Sequence, residues 1–232
     1  MRYITVKNSQ TTQSGRDDAR FYLPRSFNKE KYGSLKWCKI SDLADTPASS
    51  ITASRFPDKL FNIFNLEDVD EIEGEIIRIH QIKGKDVKGG KRLLFPNDVI
   101  FARIEPSIFN KKYAIVPNDV TECLASTEFL IARPKKGVSS FYLHWALRGH
   151  WIAEQLDPGI LTGSTGRRRL SPEDFKDLLI PEASSDEQIE FGQNIVKYRA
   201  LRREYLEKAD NMLIELDEKI ISDLFESKSF IK

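Results

Sequence analysis

Apolar and polar positions follow two different rhythms along the 232 residues. Up to about residue 180 the apolar residues come in short β-branched and aromatic runs bounded by turn formers, the pattern of strands rather than of long helices. The best strand candidates are residues 75–80, 99–103, 113–116 and 129–133. Asn97-Asp98 ahead of the second predicts a tight turn, because Asn tolerates left-handed backbone angles and Asp bonds its own backbone. Pro117 and Pro134 close the third and fourth. Helices are predicted at 139–156, opened by Ser139, and at 171–178. In the latter Ser171 is a cap, Pro172 occupies the first helical position, and Glu173 and Asp174 favour the positive end of the dipole. The mixture predicts an α+β domain.

From residue 186 to 225 the rhythm changes. There is no proline and only Gly192. Apolar or small residues recur at Phe191, Ile195, Tyr198, Leu201, Tyr205, Ala209, Met212, Leu216, Ile220 and Leu224, a mean step of about 3.7 residues. That step matches an 11-residue repeat and predicts a straight or slightly right-handed helix pairing rather than a strict heptad coil. A second row at Val196, Leu206, Leu213, Ile221 and Phe225 widens the face. No other stretch supplies a partner helix of this length, so another subunit is the simplest means of burying it. The pattern divides the chain into a globular part, residues 1–181, and a helical part, residues 182–232.

Composition sharpens this division. The whole chain has a formal net charge of +1, which argues against indiscriminate coating of nucleic acid. Residues 1–180 carry 28 basic and 23 acidic side chains, and the remainder 8 and 12. The globular part is therefore mildly basic and the helical tail acidic. Apolar stretches such as 129–132 are far shorter than the ~20 residues needed to span a bilayer. The polar first thirty residues lack a signal-peptide pattern, so a cytoplasmic location is expected.

Thr162-Gly163-Ser164-Thr165-Gly166-Arg167-Arg168-Arg169 concentrates the chemistry. Two glycines and three hydroxyls let backbone N–H groups approach an anion, and three arginines follow. Arginine bonds bidentately to phosphate or to the O6/N7 edge of guanine, which lysine does not reproduce. The competing reading is a surface turn whose arginines are solvated or paired with Glu173 and Asp174. No nucleotide-binding P-loop pattern passes through the segment. A second basic run, Arg78, Lys83, Lys85, Lys88, Lys91 and Arg92, reads as a mobile hairpin or loop able to follow a phosphate backbone. It equally suits neutralisation of the preceding acidic stretch from Glu67 to Glu75. Arg103, Glu105 and Ser107 offer base-reading groups at the end of a predicted strand, or alternatively a strand-end salt bridge.

Catalytic and metal signals are weak. His80, His144 and His150 have no ligand spacing with each other or with Cys38 and Cys123, and the two cysteines form neither a C-x-x-C pair nor a disulfide framework. No G-x-S-x-G or G-x-G-x-x-G motif occurs. Glu226-Ser227-Lys228 is a nuclease-like fragment best explained by chance, and the Asn/Asp-Pro-Pro-aromatic segment of a DNA amino-methyltransferase is missing. The reading assigns no catalytic residue, no metal ligand and no cofactor.

These segments together resemble the specificity (S) subunit of type I restriction-modification systems. Residues 16–24, Arg-Asp-Asp-Ala-Arg-Phe-Tyr-Leu-Pro, are similar to the opening of one branch. Residues 37–43 resemble the start of its target-recognition domain. Residues 97–103 resemble its Gly-Asp-hydrophobic strand motif, with Asn97 in place of glycine, and residues 126–134 its Ser-x-x-Phe strand leading to Arg-Pro. Residues 163–171, continuing through Leu178-Leu179-Ile180-Pro181 to Glu187-Gln188 and the long helix, carry the strongest likeness. Typical S subunits have two target-recognition domains and two long antiparallel helices, whereas this chain has one of each and resembles half of such a subunit.

The resemblance implies a recognition subunit without catalytic activity that binds double-stranded DNA through Thr162 to Arg169, Lys83, Lys85, Lys88, Lys91, Arg92, Arg103 and Ser107. It implies an antiparallel coiled coil between two copies through Ile195, Tyr198, Leu201, Tyr205, Ala209, Met212, Leu216, Ile220 and Leu224. Such a pair would read a split, palindromic site and direct methylation and restriction subunits, in which S-adenosylmethionine, ATP and magnesium would act. The alternatives are the target-recognition part of a fused restriction-methylation enzyme, a small nuclease, or a helical adaptor with no DNA role.

Overall fold

The computed structural model describes residues 27–48, 50–156, 160–164 and 166–229, with side chains through Leu224. The Arg16 to Pro24 segment and Thr165 lie outside the described residues. The chain divides into two compact units, residues 1–189 and 190–232.

In the first unit the apolar strand runs form two four-stranded sheets. One has the order β2 (Ala44–Asp45), β9 (Phe129–Pro134), β6 (Val99–Ala102) and β7 (Tyr113–Ile115), with antiparallel pairing throughout. Its central strand β6 is wholly buried. This agrees with its unbroken apolar sequence, since a strand covered on both faces has no reason to alternate. Val99 faces Ala132 on one side and Ile115 on the other. The second sheet has the order β4 (His80–Lys83), β3 (Leu60–Phe64), β8 (Cys123–Ser126) and β5 (Lys91–Leu94), with β3 and β8 parallel. Two short antiparallel pairs complete the strands: β1 (Trp37–Lys39) with β12 (Leu179–Pro181), and β10 (Leu161–Thr162) with β11 (Arg169–Leu170).

Three of the four predicted strands form as read. The exception is 75–80, where Ile76 makes only an isolated bridge to Val69 and regular pairing begins at His80. The backbone bonds Asp70 N to Glu75 O and Ile77 N to Asp68 O close this segment into a turn. Ile72 and Ile77 are left on the surface, while Ile76 and Ile79 pack partly buried against the core. The Asn97 turn forms as expected, with φ of 69°, and the Asp98 carboxylate accepts from Phe95 N at 2.9 Å. Asp98 is buried and paired bidentately with Arg133 at 2.7 and 2.8 Å.

The helices are α1 (Ile40–Leu43), α2 (Ser140–Arg148), α3 (His150–Gln155), α4 (Pro172–Lys176) and α5 (Ser185–Ser229). The predicted single helix at 139–156 is therefore two helices. Ser139 caps α2 as read, accepting from Tyr142 N, but Gly149 turns extended, with ψ of 150°. The indole of Trp151 folds back over it and donates from Nε1 to Ala146 O at 2.7 Å. A Cβ at Gly149 would lie 2.0 Å from the indole ring, so the sharp corner requires glycine. α4 forms with its Ser171 cap and Pro172 at the start.

The core of this unit lies between the sheets and α2 to α4. Phe101 stacks on Tyr113 with ring centroids 4.0 Å apart, and Phe175 of α4 packs on Phe101. Two buried polar groups stitch helix to sheet: His144 Nε2 reaches Tyr113 O at 3.1 Å, and Tyr142 Oη donates to Pro181 O. A ring cluster of Phe27, Tyr32, Trp37, Trp145 and Trp151 joins distant stretches of chain. Cys38 and Cys123 are both free thiols.

α5 is a continuous 45-residue helix, about 67 Å long at ~1.5 Å per residue. Ser184 and Glu187 cap each other at its start: the carboxylate accepts from Ser184 N at 2.7 Å and the hydroxyl from Glu187 N, a capping box. Gln188 is buried, accepting from Ser139 N and donating to Ala183 O. Further along, the apolar row is exposed, including Tyr198 at 66%, Tyr205 at 61% and Met212 at 69%. Among the described residues no helix is long and apolar enough to cross a membrane.

Candidate nucleic-acid interface

The glycine-arginine segment is the tip of a hairpin. β10 and β11 pair Leu161 with Leu170 and Thr162 with Arg169, and Leu161 and Leu170 are buried as its anchors. Between them the chain bends through Gly163 at φ 119° and Gly166 at φ 78°, backbone angles that residues with a Cβ rarely adopt. Arg167 N donates to Ser164 O at 3.0 Å. Thr162, Gly163, Ser164, Gly166 and Arg167 are all exposed.

The hairpin is not a free loop. Ile104, just beyond β6, bridges to Arg169, and Glu105 N donates to Arg168 O at 3.0 Å. Arg103 lies in the middle of this junction: its N–H donates to Glu128 O and its carbonyl accepts from Leu170 N, both at 2.9 Å. The hairpin is thus tied to the segment just beyond β6.

Side chains reinforce that attachment. Arg168 donates to the Glu105 carboxylate from Nε at 3.0 Å and from Nη2 at 2.7 Å. Arg169 does the same to Glu128 at 3.0 and 2.7 Å and adds a bond from Nη1 to Arg167 O. Bidentate pairs of this kind are directional and strong. The Arg168 guanidinium holds the Glu105 carboxyl below the usual carboxylate range. The surface-turn reading had paired these arginines with Glu173 and Asp174; the structure instead uses Glu105 and Glu128. Asp174 is occupied within its own helix, accepting from the Ser171 hydroxyl.

Arg103 differs from its neighbours. Its Nε is buried and meets no acceptor among the described residues. Burial lowers its pKa most, Glu128 opposes that and Arg169 adds to it. Arg92 is buried behind it, donates from Nη1 to Ala48 O, and is depressed by burial and then by the charge of Arg103. Arg103, Arg168 and Arg169, from two separate parts of the chain, thus converge around Glu105 and Glu128, with Arg92 near enough for its charge to meet that of Arg103. Ser107 is half-buried in the turn that follows, where its carbonyl accepts from Lys112 N.

Of the hairpin or loop expected for the second basic run, the structure forms the loop, which links β4 to β5. β4 and β5 occupy opposite edges of their sheet with β3 and β8 between them, a separation of about 14 Å at ~4.8 Å per strand. Lys83, Lys85 and Lys88 are exposed on the β4 side, and Lys91 and Arg92 lie on β5. Arg78 follows the neutralising alternative: its Nε lies 3.0 Å from the buried Asp68, which also meets His80 at 3.3 Å. Sequence reasoning missed Glu128 because no local signal marks it. It sits in the turn between β8 and β9, 41 residues from Arg169, and only folding makes it a partner.

No protein-family model matches the chain, and no curated protein matches it. Solved structures do. The HsdS subunit from Thermoanaerobacter tengcongensis superposes with a TM-score of 0.62 at 24% identity, covering 75% of this chain and 44% of that one. A chain from a structure on the complex assembly and conformational transition of the type I R-M system gives a TM-score of 0.62 at 22% identity, covering 74% of this chain and 43% of that one. The chain spans less than half the length of either. Over that span, its mixed sheets and long C-terminal helix have the fold of a type I restriction-modification specificity subunit.

Proposed function

We propose that this chain is a non-catalytic, sequence-specifying DNA-binding component of a type I restriction-modification complex. The observation that carries the proposal is the fold shared with the HsdS subunit over three quarters of the chain. The exposed residues Thr162, Gly163, Ser164, Gly166 and Arg167, on a hairpin bonded to the chain just beyond β6, are the kind of feature that positions a protein on a phosphate backbone. Thr162 to Arg169, Arg103 and Ser107 form the inner part of the proposed DNA surface. Lys83, Lys85 and Lys88 supply salt-dependent affinity from one edge of their sheet and Lys91 from the other, and Arg92 backs Arg103 with a second positive charge.

The exposed row on α5 from Tyr198 to Leu224 is proposed as the seam between two copies, packed antiparallel. Two identical reading surfaces related by a twofold axis would read a split palindrome. The second row, Val196, Leu206, Leu213 and Ile221, is also exposed or partly so and suits docking of a methylation subunit. Methyl transfer from S-adenosylmethionine and cleavage with ATP and magnesium would then belong to the companion subunits. Co-expression with a type I methylation subunit, followed by mapping of methylated adenines across the host genome, tests the proposal. Methylation confined to one split, symmetric motif is the expected result; no methylation that depends on this chain would overturn it.

A further inference from the structure

We propose that Arg103 is the residue that reads a guanine edge in the major groove, while Arg168 and Arg169 are positioning residues that never leave their carboxylates. This assignment rests on the DNA-binding function proposed above and goes beyond it by separating four neighbouring arginines into three roles. Arg168 commits its Nε and Nη2 to Glu105, which is 8% exposed. Transferring that fork to DNA would leave a largely buried carboxylate without its partner, a strongly unfavourable exchange. Arg169 commits Nε and Nη2 to Glu128 and Nη1 to Arg167 O.

Arg103 is placed differently. Its main chain is gripped from both sides by the 2.9 Å bonds to Glu128 and Leu170, and its Nε is enclosed. A guanidinium on so rigid a strand end has its direction set before DNA arrives. Directional, bidentate reading of a base edge needs that preorganisation, whereas a phosphate contact tolerates a mobile donor. Burial rather than the neighbouring charges lowers the pKa of Arg103 most, and a guanidinium stripped of water favours electron-rich acceptors such as guanine O6 and N7. Arg167, at the exposed tip, is the phosphate contact.

Selection from a pool of randomised DNA duplexes by the full chain, co-purified with a methylation subunit, tests the assignment. The unaltered chain is expected to select a motif containing a guanine whose replacement by 7-deazaguanine weakens binding roughly 5- to 150-fold. Arg103→Met should lose that discrimination at the one position and be indifferent to the 7-deaza replacement, because methionine keeps a long apolar stem but has no donor. Arg167→Ala should weaken binding to all duplexes alike and lower the salt slope by about one. A selected motif with no 7-deaza-sensitive guanine overturns the assignment using the unaltered protein alone. A preference unchanged in Arg103→Met also overturns it while leaving the DNA-binding proposal intact. If the unaltered chain prefers no duplex, both fall.

Discussion

Glu105 and Arg168, 63 residues apart in sequence, form a bidentate ion pair with N···O distances of 3.0 and 2.7 Å and a third bond from Arg168 N to the same carboxylate. The pair joins the end of β6 to the hairpin, alongside the backbone bonds from Glu105 N to Arg168 O and from Leu170 N to Arg103 O and the Arg169–Glu128 pair. It also makes the Glu105 side chain a direct handle on the geometry of the proposed DNA surface.

Glu105→Gln should therefore destabilise the domain by about 1 to 3 kcal/mol at neutral pH, the usual worth of charge-assisted hydrogen bonds. Because Arg168 depresses the Glu105 carboxyl, this stabilisation is fully present above the unfolded-state value of ~4.3 and disappears as pH falls through the lower folded-state value. Chemical denaturation between neutral pH and about pH 3 checks this: the stability gap between the two proteins should close on acidification.

Gly149→Ala should disrupt the corner between α2 and α3. With a Cβ only 2.0 Å from the Trp151 ring, the indole must leave Ala146 O and its neighbours Trp37 and Trp145. A loss of about 2 to 3 kcal/mol, in the range for overpacking, is expected in thermal melts, with an accompanying red shift of tryptophan fluorescence.

If the proposed seam forms, Tyr205→Glu combined with Met212→Glu should abolish dimerisation and give soluble monomers without affecting the domain's own melting transition. Both residues lie on the exposed row of α5. Sedimentation showing that the unaltered protein is already monomeric at micromolar concentration would eliminate the helical seam.

The thiols should differ sharply in reactivity. Burial pushes Cys123 up to about 12 and Cys38 up to about 11, and Cys123 is almost fully enclosed, so little thiolate exists at pH 8. Iodoacetamide labelling followed by peptide mass spectrometry should find slow modification of the half-buried Cys38. Cys123 should label only after unfolding in guanidinium.

Substituting Arg167, Arg168 and Arg169 together, the direct test that the sequence invites, would mix two effects. Two of the three hold the hairpin in place and only Arg167 is exposed without such a pair among the described residues.

Period and punctuation alone determined a good part of this protein. The runs at 99–103, 113–116 and 129–133, the Asn97 turn, the Ser139 and Ser171 caps and the long C-terminal helix all form, because each depends on local backbone preference and the apolar period. Only the tertiary structure decided what long-range pairing controls. It broke the predicted helix at Gly149, where Trp151 folds back on the chain. It separated Lys83 from Lys91 by inserting β3 and β8 between their strands, and closed the Ile76 segment into a turn. Above all it chose Glu105 and Glu128, from separate loops, as the partners of Arg168 and Arg169. An arginine's charge is written in the sequence, but whether that charge is spent on the fold or kept for a ligand depends on which carboxylates topology brings within about 3 Å.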